Sequence, residues 1–133
     1  MTGVGYLELE APDLDASIEF YRRVLGFKLA QRGGDAENHQ RRATLRMASG
    51  QTLLLTEAPF ASKGLIMSRS VPGPHIAFYL PAARWTEAIA HLETLGIQNG
   101  DRGAAKERHA GQGGTYMDDP AGYVIQYITD GME

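Results

Sequence analysis

Few side chains in this chain can do chemistry near neutral pH, and the alternation around His75 singles that residue out. A neutral imidazole donates a hydrogen bond through one nitrogen and accepts through the other, so it can orient a carbonyl or hydroxyl. His75 heads the segment His75-Ile-Ala-Phe-Tyr79, in which His75, Ala77 and Tyr79 alternate with Ile76, Phe78 and Leu80. That is strand periodicity, and it sets the imidazole on the face opposite the apolar one. Residues 4–10 follow the same rule: Leu7 and Leu9 point one way, while Tyr6, Glu8 and Glu10 point the other. Glu8 is therefore a candidate general base or cation receptor. If the chain is an enzyme, His75 and Glu8 are its candidate catalytic groups. Expected strands at 51–56 and 123–128 add Thr52, Leu54, Thr56 and Gln126, and Tyr79 and Tyr116 are candidate aromatic walls. This mixture of aromatic, apolar and hydrogen-bonding groups suits a small organic ligand.

Something must hold these residues on one face, and the chain repeats the means to do so. A strand opens at Tyr6 and another at His75, 69 residues later; a helix ends at Gly26 and another at Gly96, 70 later. Leu54 and Gln126, on the last strand of each half, are 72 apart. In the first half Pro12 breaks the strand, and Asp13 or Asp15 can cap the helix that follows. Leu14, Ile18, Tyr21 and Leu25 form its buried stripe. Strands are expected at 27–30, 42–48 and 51–56. In the second half Trp85, Ile89 and Leu92 stripe a helix. Strands at 115–117 and 123–128 then flank a turn around Asp119-Pro-Ala-Gly122. We read Asp118-Asp119 as turn chemistry rather than as metal ligands. His39 and His109, in polar loops, are read as solvated. A helix covering one face of each sheet leaves the other faces to line a shared cleft. The expectation is one domain over 1–133: a first module at about 3–57, a linker at 58–74 with a short helical turn at 65–67, and a second module at 75–130. A polar, glycine-rich loop is expected at 102–114.

Composition narrows the function. With 133 residues the chain fits one compact domain. Sixteen acidic against thirteen basic residues, a net charge of −3, argue against a nucleic-acid partner. Arg41, Arg42 and Arg46 make a local basic cluster, read as a solvated or dimer-facing patch, with a phosphate or anion role as the alternative. No cysteine is present, which excludes disulfides and thiolate ligands. No stretch approaches the ~20 apolar residues of a membrane span, so no membrane partner and a cytoplasmic location are expected.

Three segments carry a family resemblance: residues 11–27 (Ala-Pro-Asp-Leu-Asp-Ala-Ser-Ile-Glu-Phe-Tyr-Arg-Arg-Val-Leu-Gly-Phe), His75-Ile-Ala-Phe-Tyr79, and residues 116–126 (Tyr-Met-Asp-Asp-Pro-Ala-Gly-Tyr-Val-Ile-Gln). Together they resemble the vicinal oxygen chelate superfamily of glyoxalases, bleomycin-resistance proteins and dioxygenases. The resemblance implies an α+β fold in which paired βαβββ modules form a curved open barrel. Such proteins are commonly homodimers, so a second copy of the chain is the expected partner. Metal-using members place ligands on four strand positions, which fall here on Tyr6, Leu54, His75 and Gln126. Only His75 retains a strong ligand type, because Leu54 offers none, Gln126 is uncharged, and Tyr6 would have to lose a proton about 3 pKa units above neutrality. The expectation drawn from this is a protein similar to the family's antibiotic-sequestering members. It would bind a small organic ligand through Tyr6, Glu8, Thr52, Leu54, His75, Tyr79, Tyr116 and Gln126, with no metal or other cofactor. The alternatives are a glyoxalase- or dioxygenase-type enzyme using a divalent metal ion, and a metal-free lyase or isomerase.

Overall fold

A computed structural model describes residues 5–34, 41–58, 75–97 and 115–129. The helical turn expected at 65–67, the loop at 102–114, and His39 and His109 lie outside them. The chain divides into two compact units, Met1–Ser62 and Lys63–Glu133.

The first unit runs β1 (Leu7–Ala11), α1 (Leu14–Arg23), β2 (Lys28–Gly33), β3 (Arg42–Arg46) and β4 (Thr52–Glu57). Its four strands lie in the order β1-β4-β3-β2, with β1 parallel to β4 and the other pairs antiparallel. Of the two candidate caps, Asp13 takes the role: its carboxylate accepts from the Ala16 N–H at 3.1 Å. Leu14, Ile18 and Tyr21 are buried as the stripe requires, and α1 packs against β2, β3 and β4. Beneath it lie Leu9 and Ala11, Ala43 and Leu45, and Leu53 and Leu55, alternate residues of three adjacent strands. Each fully buried leucine there contributes roughly 1.5–3 kcal/mol of apolar burial. Gly26 follows the helix at φ +75°, a left-handed conformation that glycine adopts without penalty. Phe27 then donates its N–H to the Tyr21 carbonyl and stacks its ring on the Tyr21 ring at 5.8 Å.

The second unit runs β5 (Ile76–Tyr79), a 3-10 turn (Ala82–Arg84), α2 (Trp85–Thr94), β6 (Thr115–Asp118) and β7 (Val124–Ile128). The strand order is β5-β7-β6, with β5 parallel and β6 antiparallel to the central β7. Ile125 and Met117 sit side by side with no exposure, and Tyr127 and Thr115 are buried beside them on the same face. Burial pushes the Tyr127 phenol up to about 12, so it stays protonated at neutral pH. On α2 Leu92 is fully buried, and Trp85 and Ile89 are half-buried.

The expected curved barrel is not what the strands build. Hydrogen bonding joins them into two separate sheets, neither closed nor curled, one with edges β1 and β2 and the other with edges β5 and β6. The first unit keeps the βαβββ order, whereas the described residues of the second supply three strands. Barrel closure needs on the order of eight tilted strands with a continuous staggered ladder. The repeat in the sequence reports the order of elements within a half. It carries no signal for ladder continuity beyond each sheet's edges.

Candidate functional site

The strand pairings define a second face on each sheet, opposite the apolar one; it is open in the first unit, whereas in the second Val124 and Gln126 are buried on it. In the first unit Glu8, Leu54 and Thr44 are direct neighbours across β1, β4 and β3, and the next row holds Glu10, Thr56 and Arg42. Thr56 Oγ1 donates to Glu8 Oε1 at 2.9 Å, which fixes the rotamer of an otherwise exposed carboxylate. Thr52 and Leu54 are half-buried on the same face. Tyr6 precedes β1 by one residue and is 58% exposed. Of the predicted residues, this face thus gathers Glu8, Thr52 and Leu54.

The other side of the same sheet explains Arg41. Glu57 has the parity of Leu53 and Leu55, so it lies on the α1 side. There Arg41 Nη1 donates to Glu57 Oε2 at 3.0 Å, while Arg41 Nη2 and Arg32 Nη1 donate to Asp15 at 3.2 and 3.0 Å. The hydrogen bond from Arg41 holds the Asp15 carboxyl below its usual range, aided by the charges of Arg41 and Arg32 and opposed by desolvation. Arg41 therefore ties the start of α1 to the end of β4 and does not belong to a free basic patch. Arg42 and Arg46 point the other way, onto the open face.

In the second unit Ala77, Gln126 and Tyr116 are direct neighbours across β5, β7 and β6. His75, immediately before β5, meets the Tyr116 ring edge-on, with centroids 5.4 Å apart and planes at 78°. Because β5 and β6 flank β7, these two rings reach toward each other across the central strand, on the face that bears Gln126. Gln126 is only 6% exposed. Tyr79 shares this face at the β5 edge and is 58% exposed. The face thus unites His75, Tyr116 and Gln126: an imidazole, a phenol and a carboxamide.

Asp119 behaves as a turn residue. Its Oδ1 accepts from the N–H groups of Ala121 and Tyr123, each at 2.9 Å, which fixes the tight connection from β6 to β7. Among the described residues no three His, Asp or Glu side chains cluster as metal ligands.

Residues 3–127 match the model of the Glyoxalase/Bleomycin resistance protein/Dioxygenase superfamily. The chain belongs to this superfamily. No curated protein sequence matches it. Among solved structures it is similar to a mutant of the fosfomycin resistance protein FosX from Listeria monocytogenes complexed with Mn(II) and 1S,2S-dihydroxypropylphosphonic acid. That likeness has a TM-score of 0.72 at 15% identity and covers 96% of this chain and 92% of that one. FosX of the same organism complexed with Mn(II) and sulfate gives 0.69 at 15%, over 96% and 91%. A superfamily domain from Frankia sp. EAN1pec gives 0.71 at 19%, over 97% and 92%. These likenesses establish a common fold.

The expectation of a superfamily member without a cofactor does not stand beside relatives complexed with Mn(II). Its argument discounted each position that lacked a histidine or a carboxylate. A carboxamide oxygen is nonetheless a hard donor and an imidazole nitrogen a borderline one, and both belong in divalent-metal sites. The same residue-by-residue reading passed over Lys28 and Thr44 on the first open face, and favoured a solvated or dimer-facing patch for Arg42 and Arg46. The alternation Arg42-Ala-Thr-Leu-Arg46 was the signal that could have placed Thr44 between the two arginines.

Proposed function

We propose that this superfamily member is a divalent-metal-dependent enzyme acting on a small organic substrate, with His75 and Gln126 as two of the metal's ligands. The observation that carries this reading is the pairing of an imidazole and a carboxamide on one face, backed by the Tyr116 ring. The donor types fit a divalent ion such as Mn(II). Such an ion, when bound, supplies Lewis-acid polarisation of substrate oxygens. Tyr116 contributes orientation: its edge-on contact limits rotation of the imidazole, and its phenol offers a hydrogen bond to substrate. The sequestering reading drawn from missing ligands gives way to this one, because the relatives complexed with Mn(II) favour a metal.

The test is titration of dialysed protein with Mn(II), followed by the loss of the free-ion EPR signal. Wild-type protein should take up Mn(II), and His75→Ala should weaken uptake about tenfold or more. Gln126→Glu should strengthen it, because a carboxylate adds charge to the donor set. Millimolar Mn(II) left unbound by both wild-type and Gln126→Glu protein would overturn the reading.

A further inference from the structure

The first unit's open face is electrically polarised, with Glu8 and Glu10 on the β1 edge and three cations toward the opposite edge. Lys28 on β2 stands directly across from Arg46 on β3, and Arg42 lies two rows along β3 on the same side. All three side chains are exposed, and none forms an ion pair among the described residues. Like charges directly opposite in an antiparallel pair destabilise the sheet, because their Cβ atoms stand about 5 Å apart. Neighbouring cations in this unit are treated differently: Arg23 pairs with Glu19, Arg32 with Asp15, and Arg41 with Asp15 and Glu57. Among the described residues the repulsion between Lys28 and Arg46 is thus not offset by an ion pair, in a chain whose net charge is −3.

Gly33 lies directly across from Arg42, and a Cβ there would come within 3.3 Å of Arg42 Nε, so the glycine leaves space for the guanidinium to lie over β2. Gln31 and Thr44, paired across β2 and β3 in the row between, supply neutral hydrogen-bonding groups. On the far side of Thr44 the same row continues through Leu54 to Glu8. Strands lie about 4.8 Å apart, so Glu8 is roughly 14 Å from β2 and 10 Å from β3.

We propose that Lys28, Arg46 and Arg42 bind the oxyanion group of a small organic ligand, a carboxylate or a phosphate-type group. Its apolar body would lie over Leu54 toward Glu8. A guanidinium can take such a group through two parallel hydrogen bonds, and the ammonium adds a point charge. The anion site lies on the first unit alone and does not depend on the metal-dependent reading.

Titration of the full chain with phenylphosphonate, benzoate and neutral benzamide, followed by amide NMR shifts, tests the proposal. The two anions represent the two possible sources of the oxyanion. Shifts should concentrate at Lys28, Gln31, Thr44 and Arg46, for one or both anions and not for benzamide. The double variant Lys28→Gln/Arg46→Gln should bind about tenfold or more weakly. Lys28→Arg/Arg46→Lys, which keeps both charges, should retain binding. Arg84→Gln, which removes an exposed cation of the second unit, should bind like wild type. Benzamide binding as tightly as the anions, shifts elsewhere, unchanged affinity in the Gln double variant, or no binding of either anion at 10 mM (about the weakest useful affinity) would each overturn it. Mn(II) uptake measured on the same variants separates the two readings. Loss of anion binding in the Gln double variant with Mn(II) uptake intact supports the anion site, whereas no Mn(II) uptake beside a normal anion site removes only the metal-dependent reading.

Discussion

Replacing Asp119 with alanine should cost about 3 kcal/mol of stability. The carboxylate is 5% exposed, and one of its oxygens accepts from both the Ala121 and the Tyr123 N–H at 2.9 Å. Each is a hydrogen bond to a charged acceptor, worth about 1.5–3 kcal/mol, and removing the acceptor leaves the buried Tyr123 N–H without its partner. Part of the loss is recovered because the turn keeps its backbone bonds, Asp119 N–H to the Tyr123 carbonyl and Gly122 N–H to the Asp119 carbonyl. Asparagine retains an oxygen at the same place and loses only the charge, so Asp119→Asn should cost about 1 kcal/mol, the difference between a charged and a neutral acceptor. Urea unfolding at pH 7, with midpoints and slopes fitted for all three proteins, measures both values. The two variants report on acceptor and charge separately. If alanine leaves the midpoint unchanged, or asparagine costs as much as alanine, the paired hydrogen bonds do not hold the turn and the reasoning fails.

Two further outcomes follow from the structure and the family. The pKa of Asp15 is lowered in the folded protein, so its stabilising contribution is present above the ordinary carboxyl value near 3.8 and is lost as pH falls through the folded value. The gap in urea midpoint between wild type and Asp15→Asn should therefore be widest near neutrality, shrink below about pH 4 and close at lower pH; a gap independent of pH would refute the role given to Arg41. We also propose that the chain is a homodimer, and light scattering at micromolar concentration should give twice the chain mass, a single-chain mass disproving it.

Alternation and helix punctuation were legible because they are local. The spacing of Leu14, Ile18 and Tyr21, the cap at Asp13 and the glycines at 26 and 96 all act within one or two turns of chain, and each appears where the residues place it. The faces of β1, β4, β5 and β7 followed from the same two-residue period, which is why His75 and Gln126 were assigned to a common side before any pairing was known. Pairing itself is a long-range property. Nothing in residues 28–33 announces the bulge between Leu29 and Gln31, yet that extra residue is what sets Lys28 opposite Arg46 and Gln31 opposite Thr44. Arg41 was misread for the related reason that its partners, Asp15 and Glu57, come from elements 26 and 16 residues away.

The consequence for function is that residue identity at a family position is a weaker guide than the row in which that residue stands. Leu54 offers no donor, and judged alone it argues for a site that has decayed. In the sheet it lies between Glu8 and Thr44, with Glu8 steadied by Thr56, so the row that contains it keeps a carboxylate one strand away. Gln126 likewise reads as a weakened glutamate until it is seen beneath two rings that converge from the outer strands. A face that had merely lost its chemistry would have no reason to keep a fixed carboxylate, as the first unit's does, or an imidazole braced by a phenol ring, as the second unit's does. It would have still less reason to tolerate a cation pair that the sheet would be more stable without. The opposed cations cost the sheet stability and the other two arrangements constrain their side chains, as the anion and metal sites proposed above would require.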